Sequence, residues 1–175
     1  DEIDSLNLED MPPLPFPILL RSSINDPQHS DSLVGVESLL KAGRWVEAAS
    51  ALLPLAKRYP KDTRTLSALG IALLEDGRNR NEMDELRAHR LDQAEQTMRR
   101  CAEISSRDVS TLFNLALVYE AKGDYVKEEK VWSTILRIDS ESESALLGMA
   151  RLALRQNDIV RANKVLSDYH SISSA

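Results

Sequence analysis

Apolar residues recur along this chain at the three-and-four spacing of amphipathic helices. Leu66, Leu69, Gly70 and Leu73 share one helix face, and Leu91, Ala94, Met98 and Cys101 keep the same rhythm. Gly43, Gly77 and Gly123, with Asn157 in the last position, close the first helix of successive pairs, and Pro60 follows a helix carrying Trp45, Ala48, Leu52 and Leu55. Glycine just past a helix and proline beyond it are the expected stop signals. The pattern then repeats. Compact residues Val36, Gly70, Ala116 and Ala150 are spaced 34, 46 and 34, while Ala48, Ala94, Glu128 and Ala162 are spaced 46, 34 and 34. Both long intervals exceed the period by 12, so one insertion between Gly70 and Ala94 accounts for every departure. A 34-residue period of helix pairs predicts an all-α array in which each pair buries its apolar stripe against the next.

Division of the chain follows from this. Residues 29–175 form four repeats, at 29–62, 63–108, 109–142 and 143–175, preceded by an extended arm over residues 1–28. The insertion, RNRNEMDELRAH near residues 79–90, has helical composition, so it lengthens the second helix of its repeat or adds a short one before it. Its arginines are interleaved with acids. That pattern suits a solvated, self-compensated face, with a basic docking site as the alternative.

Charge sharpens the boundary. Residues 1–31 hold seven acids and one base, so the net charge of -6 lies wholly there, and the rest balances 21 acids with 21 bases. A neutral body offers little footing for non-specific nucleic-acid binding. In the arm, Pro12, Pro13, Pro15 and Pro17 forbid helix, while Leu14, Phe16, Ile18 and Leu19 are too apolar for an idle linker. The arm is therefore expected to pack on the array's own surface or to insert into a neighbouring subunit, with a disordered arm as the remaining alternative. One cysteine, Cys101, permits no intrachain disulfide, which points to a reducing compartment, the cytoplasm or an organelle reached by import. No apolar run reaches the roughly 20 residues of a membrane span. The chain opens on Asp1 rather than Met, as a fragment or processed product would.

These residues carry a resemblance to the tetratricopeptide repeat family, clearest in LFNLALVYEAKGDYVKEEKVWSTILRID and extending over residues 29–175. Departures are Glu128 at a position the family keeps small, Val36 at another, and a repeat-end proline surviving only as Pro60. The resemblance implies a right-handed superhelix whose first helices line a concave groove. Carried over by position, that groove holds Leu33, Glu37, Arg64, Ser67, Ile71, Phe113, Asn114, Leu117, Leu147 and Arg151. Leu33, Ile71, Phe113, Leu117 and Leu147 would form an exposed apolar strip unless neighbouring helices or a terminal segment cover it. With Arg64 and Arg151 beside it and Asn114 free to bond a peptide backbone, the strip suits an extended or helical segment combining apolar side chains with one or two acids. The chaperone-binding branch of the family needs a cationic carboxylate clamp. Of its five positions this chain matches only Asn114, so no such clamp is expected.

Candidate chemistry is sparse. His29, His89 and His170 fall in different segments, Cys101 occupies a core position, and no phosphate-binding glycine loop occurs, so neither a cofactor nor a metal is expected. The expected function is a non-catalytic scaffold or adaptor, a subunit or assembly factor of a larger complex, whose partner is protein. The runner-up is a helical-repeat RNA-binding protein, disfavoured by the neutral body and by Ser, Leu and Ile where polar base-reading residues are needed.

Overall fold

The computed structural model describes residues 27–174. They form eight helices and, among the described residues, no strand: α1 (Pro27–Lys41), α2 (Trp45–Arg58), α3 (Thr63–Arg78), α4 (Glu85–Ile104), α5 (Val109–Lys122), α6 (Tyr125–Ile138), α7 (Glu143–Arg155) and α8 (Ile159–Ser173). Each packs on the one before it, and α3 also meets α5, so the pairs stack in chain order.

Local chemistry sets most boundaries. Asp62, Asp84, Asp108, Asp124 and Asp158 precede α3, α4, α5, α6 and α8, and each accepts a backbone N–H two or three residues on. A carboxylate there satisfies an orphan donor and complements the helix dipole. Gly43, Gly123 and Asn157 sit at φ 69°, 70° and 57°, the left-handed conformation that ends α1, α5 and α7.

The α3 terminus departs from the expected pattern. Gly77 does not end the helix but lies buried inside it, where an added Cβ would stand 2.8 Å from Leu91 Cδ2. Its smallness serves close approach to α4 rather than a turn. The helix instead runs on to Arg78, and a connector over 79–84 leads into α4, which at 20 residues exceeds the 14 of α2 and α6. The insertion thus lengthens the second helix, as one of the two sequence readings held. Arg87 ties the connector down: its Nη1 donates to the carbonyls of Gly77, Arg78 and Arg80 at 3.2, 3.0 and 3.1 Å, adding to the α3 C-cap that Asn79 makes by donating its backbone N–H and Nδ2 to the Glu75 carbonyl.

The compact positions are core. Ala48, Ala94, Ala116, Ala150 and Ala162 are all fully buried, with Trp132 the largest buried side chain. Glu128 takes the small-residue position without reaching water. Its Oε1 accepts from Trp132 Nε1 at 3.1 Å and from Arg155 Nη2 at 2.5 Å. Burial pushes this carboxyl above the ordinary glutamate range, opposed by Arg155 and Trp132. Trp132 in turn lies flush on Gly148 and meets Phe113 edge-on at 5.6 Å.

Candidate functional site

The structure overturns the expected exposed strip. Leu33, Ile71, Phe113, Leu117 and Leu147 are only 2–9% exposed. Four of them join the main core, and Leu147 packs with Ala150 and Leu166 in a second cluster. The reason is geometric: these positions face the neighbouring helices, so their apolar surface is spent on contacts between helices, as the edge-on Phe113–Trp132 contact shows. Asn114 is buried too and directs Nδ2 at Ser67 Oγ, 3.4 Å away. Arg151 binds Glu120 at 2.6 Å and Glu37 binds Lys41 at 2.6 Å. Arg64 is half-buried, its Nη1 without a hydrogen-bond partner. Leu14, Phe16, Ile18 and Leu19 lie outside the described residues.

Cys101 is fully buried, with Sγ 3.3 Å from the Thr63 carbonyl oxygen and 3.5 Å from Thr111 Oγ1. Burial pushes its thiol up, away from the reactive thiolate. His29, which the sequence leaves alone, has Nε2 2.8 Å from Asp62 Oδ2 and 3.2 Å from Thr65 Oγ1, with its ring 4.1 Å from that of Tyr59. Although the residue types are those of a catalytic relay, all three are closed from solvent. The cluster clasps the start of α1 to the α2–α3 turn. Among the described residues no group of three or more His, Cys, Asp or Glu could hold a metal ion, and no helix is long and apolar enough to cross a membrane.

What remains open is the face built by the second helices. Between α2 and α4 lies a groove of about 960 Å³, floored by Leu53, Ala56, Pro60, Leu66 and Leu69 and rimmed by Lys57, Arg99 and Arg100. Two of its acids are already neutralised. Lys122 bridges Asp92 at 2.7 Å and also binds Glu95, and Lys127 approaches Glu95 at 3.5 Å. Burial would raise the Glu95 carboxyl, yet the two lysines hold it below its usual range. Among the described residues Lys57, Arg99 and Arg100 make no ion pair. Glu103, the third acid of the lining, makes no ion pair among the described residues either, so the three cations outnumber the one free acid and leave a surplus of positive charge over an apolar floor. A second groove of about 520 Å³, which shares Arg99 and Glu103, continues between α4 and α6 over Leu112, Leu115 and Val131, with Lys130 on its rim.

The insertion contributes less to this surface than its arginines suggest. Asp76 takes Arg80 and Arg90, each at 2.9 Å, and Arg80 also binds Asp84 at 2.9 Å. A third hollow of about 600 Å³ beside the connector is likewise lined by engaged cations, Arg78 on Glu75 and Arg155 on Glu128. None of Lys57, Arg99 and Arg100 stands out in the sequence as a site residue. The register of Arg99 and Arg100 next to the core residues Met98 and Cys101 places them on the outer face, a signal that was available.

No family model matches the chain, and no curated protein shows significant similarity to it. Among solved structures the fold is similar to MamA from Desulfovibrio magneticus RS-1, residues 41 to the end, at 16% identity and a TM-score of 0.47, covering 86% of this chain and 98% of that one. It is similar as well to the MamA RS-1 ArsTM double mutant, at 16% identity and a TM-score of 0.46, covering 86% and 97%.

Proposed function

We propose that this chain is a non-catalytic docking scaffold, a subunit or assembly factor of a larger protein complex, and that it holds an acidic, apolar segment of its partner in the groove between α2 and α4. The observation that carries this reading is the trio Lys57, Arg99 and Arg100, none of them in an ion pair among the described residues and opposed only by Glu103, above an apolar floor. The ligand chemistry is the one expected from the sequence; the site moves from the first helices, whose apolar residues are core, to the second. Apolar anchors would supply affinity, and the cations would set register and association rate.

A synthetic peptide set varying acidic and apolar content tests it by fluorescence anisotropy. Peptides with both features should bind, and Lys57→Glu with Arg100→Glu should weaken them at least tenfold at low salt without loss of helicity. Equal binding of basic and acidic peptides, or no effect of the charge reversals, would sink the reading. Mixed single-stranded RNA serves as the contrasting probe: submicromolar binding abolished by the same reversals, with none to any peptide, would favour the RNA-binding alternative.

A further inference from the structure

The chain's own arm has the chemistry that the α2–α4 groove requires, and it enters the structure at the groove's edge. We infer that residues 8–20 occupy this groove intramolecularly, so that a partner binds by displacing them; the inference rests on the docking role proposed for that groove.

Attachment comes first. Residue 29 is gripped through His29 Nε2 by Asp62 at 2.8 Å and Thr65 at 3.2 Å, and its ring packs on Tyr59 at 4.1 Å. Tyr59 adjoins Pro60, which lines the groove. The clasp thus holds the start of α1 near Pro60, at one end of the groove. Reach is ample, since 26 residues extend to roughly 85 Å while the 14 residues of α2 span about 21 Å. Leu14 to Leu20 reach the floor with chain to spare for Glu9 and Asp10 to meet Arg99 and Arg100.

Charge points the same way. Residues 32–175 balance acids and bases, whereas residues 1–26 hold six acids and one base. Of the groove's free cations Lys57, Arg99 and Arg100 only one can be offset by Glu103, and the acids of the arm can meet the others. Tethering gives the arm a millimolar-scale effective concentration that a free partner must overcome.

Paramagnetic broadening in the full chain tests the placement. A nitroxide on Met11→Cys labels selectively, because Cys101 is buried with its thiol pushed up. Backbone amides of Leu53 to Lys57 and Gln96 to Arg100 should broaden strongly while those of α7 and α8 do not. The broadening should vanish with Lys57→Glu and Arg100→Glu and be absent between labelled and unlabelled copies in a mixture. A peptide of residues 8–21, added in trans, should shift the same amides and bind a Phe16→Asp chain at least tenfold more tightly than the unaltered one. Broadening elsewhere, or only between copies, overturns the inference. Equal peptide affinity for both chains with no broadening removes the arm but leaves the groove as a docking site; no peptide binding to either chain removes both.

Discussion

Two glycines allow the packing to be tested by one and the same substitution. A Cβ on Gly148 would lie 2.4, 2.5 and 2.7 Å from Cε2, Cζ2 and Cδ2 of Trp132. That ring is fully buried, bonded through Nε1 to Glu128 at 3.1 Å and met edge-on by Phe113 at 5.6 Å. It would have to retreat by about 1 Å into a close-packed interior, and overpacking of this kind costs about 1–3 kcal/mol. A Cβ on Gly70 would meet Met98 at 2.4 Å (Cε) and 2.9 Å (Cγ and Sδ), but the thioether chain has rotatable bonds with which to yield. Alanine gains about 1 kcal/mol over glycine in a helix interior at both sites. Gly70→Ala should therefore fall within about 1 kcal/mol of the unaltered protein, whereas at Gly148 the rigid, fully buried ring puts the cost near the top of that range, about 3 kcal/mol, so that Gly148→Ala should lose about 2 kcal/mol net, a Tm drop of roughly 4–8 °C for a body of this size. Far-UV circular dichroism during heating and in urea reads both. Trp132→Leu in the Gly148→Ala background supplies the coupling, since the smaller side chain should recover part of the loss. Equal effects at the two glycines, or no coupling to Trp132, would refute the packing argument.

Phe113→Ala should destabilise the array by about 3–5 kcal/mol rather than act on binding alone, because the ring is 5% exposed and stacked edge-on to Trp132; a urea midpoint within about 1 kcal/mol of wild type would contradict its core placement. Asp62→Asn tests the α1 clasp. Burial pushes Asp62 up, but hydrogen bonds from Thr65 and His29 outweigh it and hold the carboxyl below its ordinary value. Its contribution is thus present above the unfolded carboxylate pKa and lost as pH falls through the lower folded value. The stability gap between Asp62→Asn and wild type, about 1–2 kcal/mol, should be constant above about pH 5 and shrink below about pH 4; a gap indifferent to pH would remove the clasp from the account.

Much of the architecture can be read from the chain alone. The 34-residue spacing, the stop signals at Gly43, Gly123 and Asn157, and the alanines at Ala48, Ala94, Ala116, Ala150 and Ala162 act within a turn or recur with the repeat, so their physics is visible in one dimension. The insertion's position follows from the same arithmetic. Tertiary structure decided which apolar residues face water. Leu33, Ile71, Phe113, Leu117 and Leu147 are indistinguishable in sequence from groove residues, and only the packing of neighbouring helices makes them core. It also decided which charges are spent: Arg80, Arg87 and Arg90 are taken up by groups near the connector, while Lys57, Arg99 and Arg100 are left over. His29 meets Asp62 and Thr65 across 33 and 36 residues, and Gly148 meets Trp132 across a helix pair. Pairings at that separation depend on how two helices rotate against each other, which is settled by the packing of the whole stack and has no counterpart in local residue order.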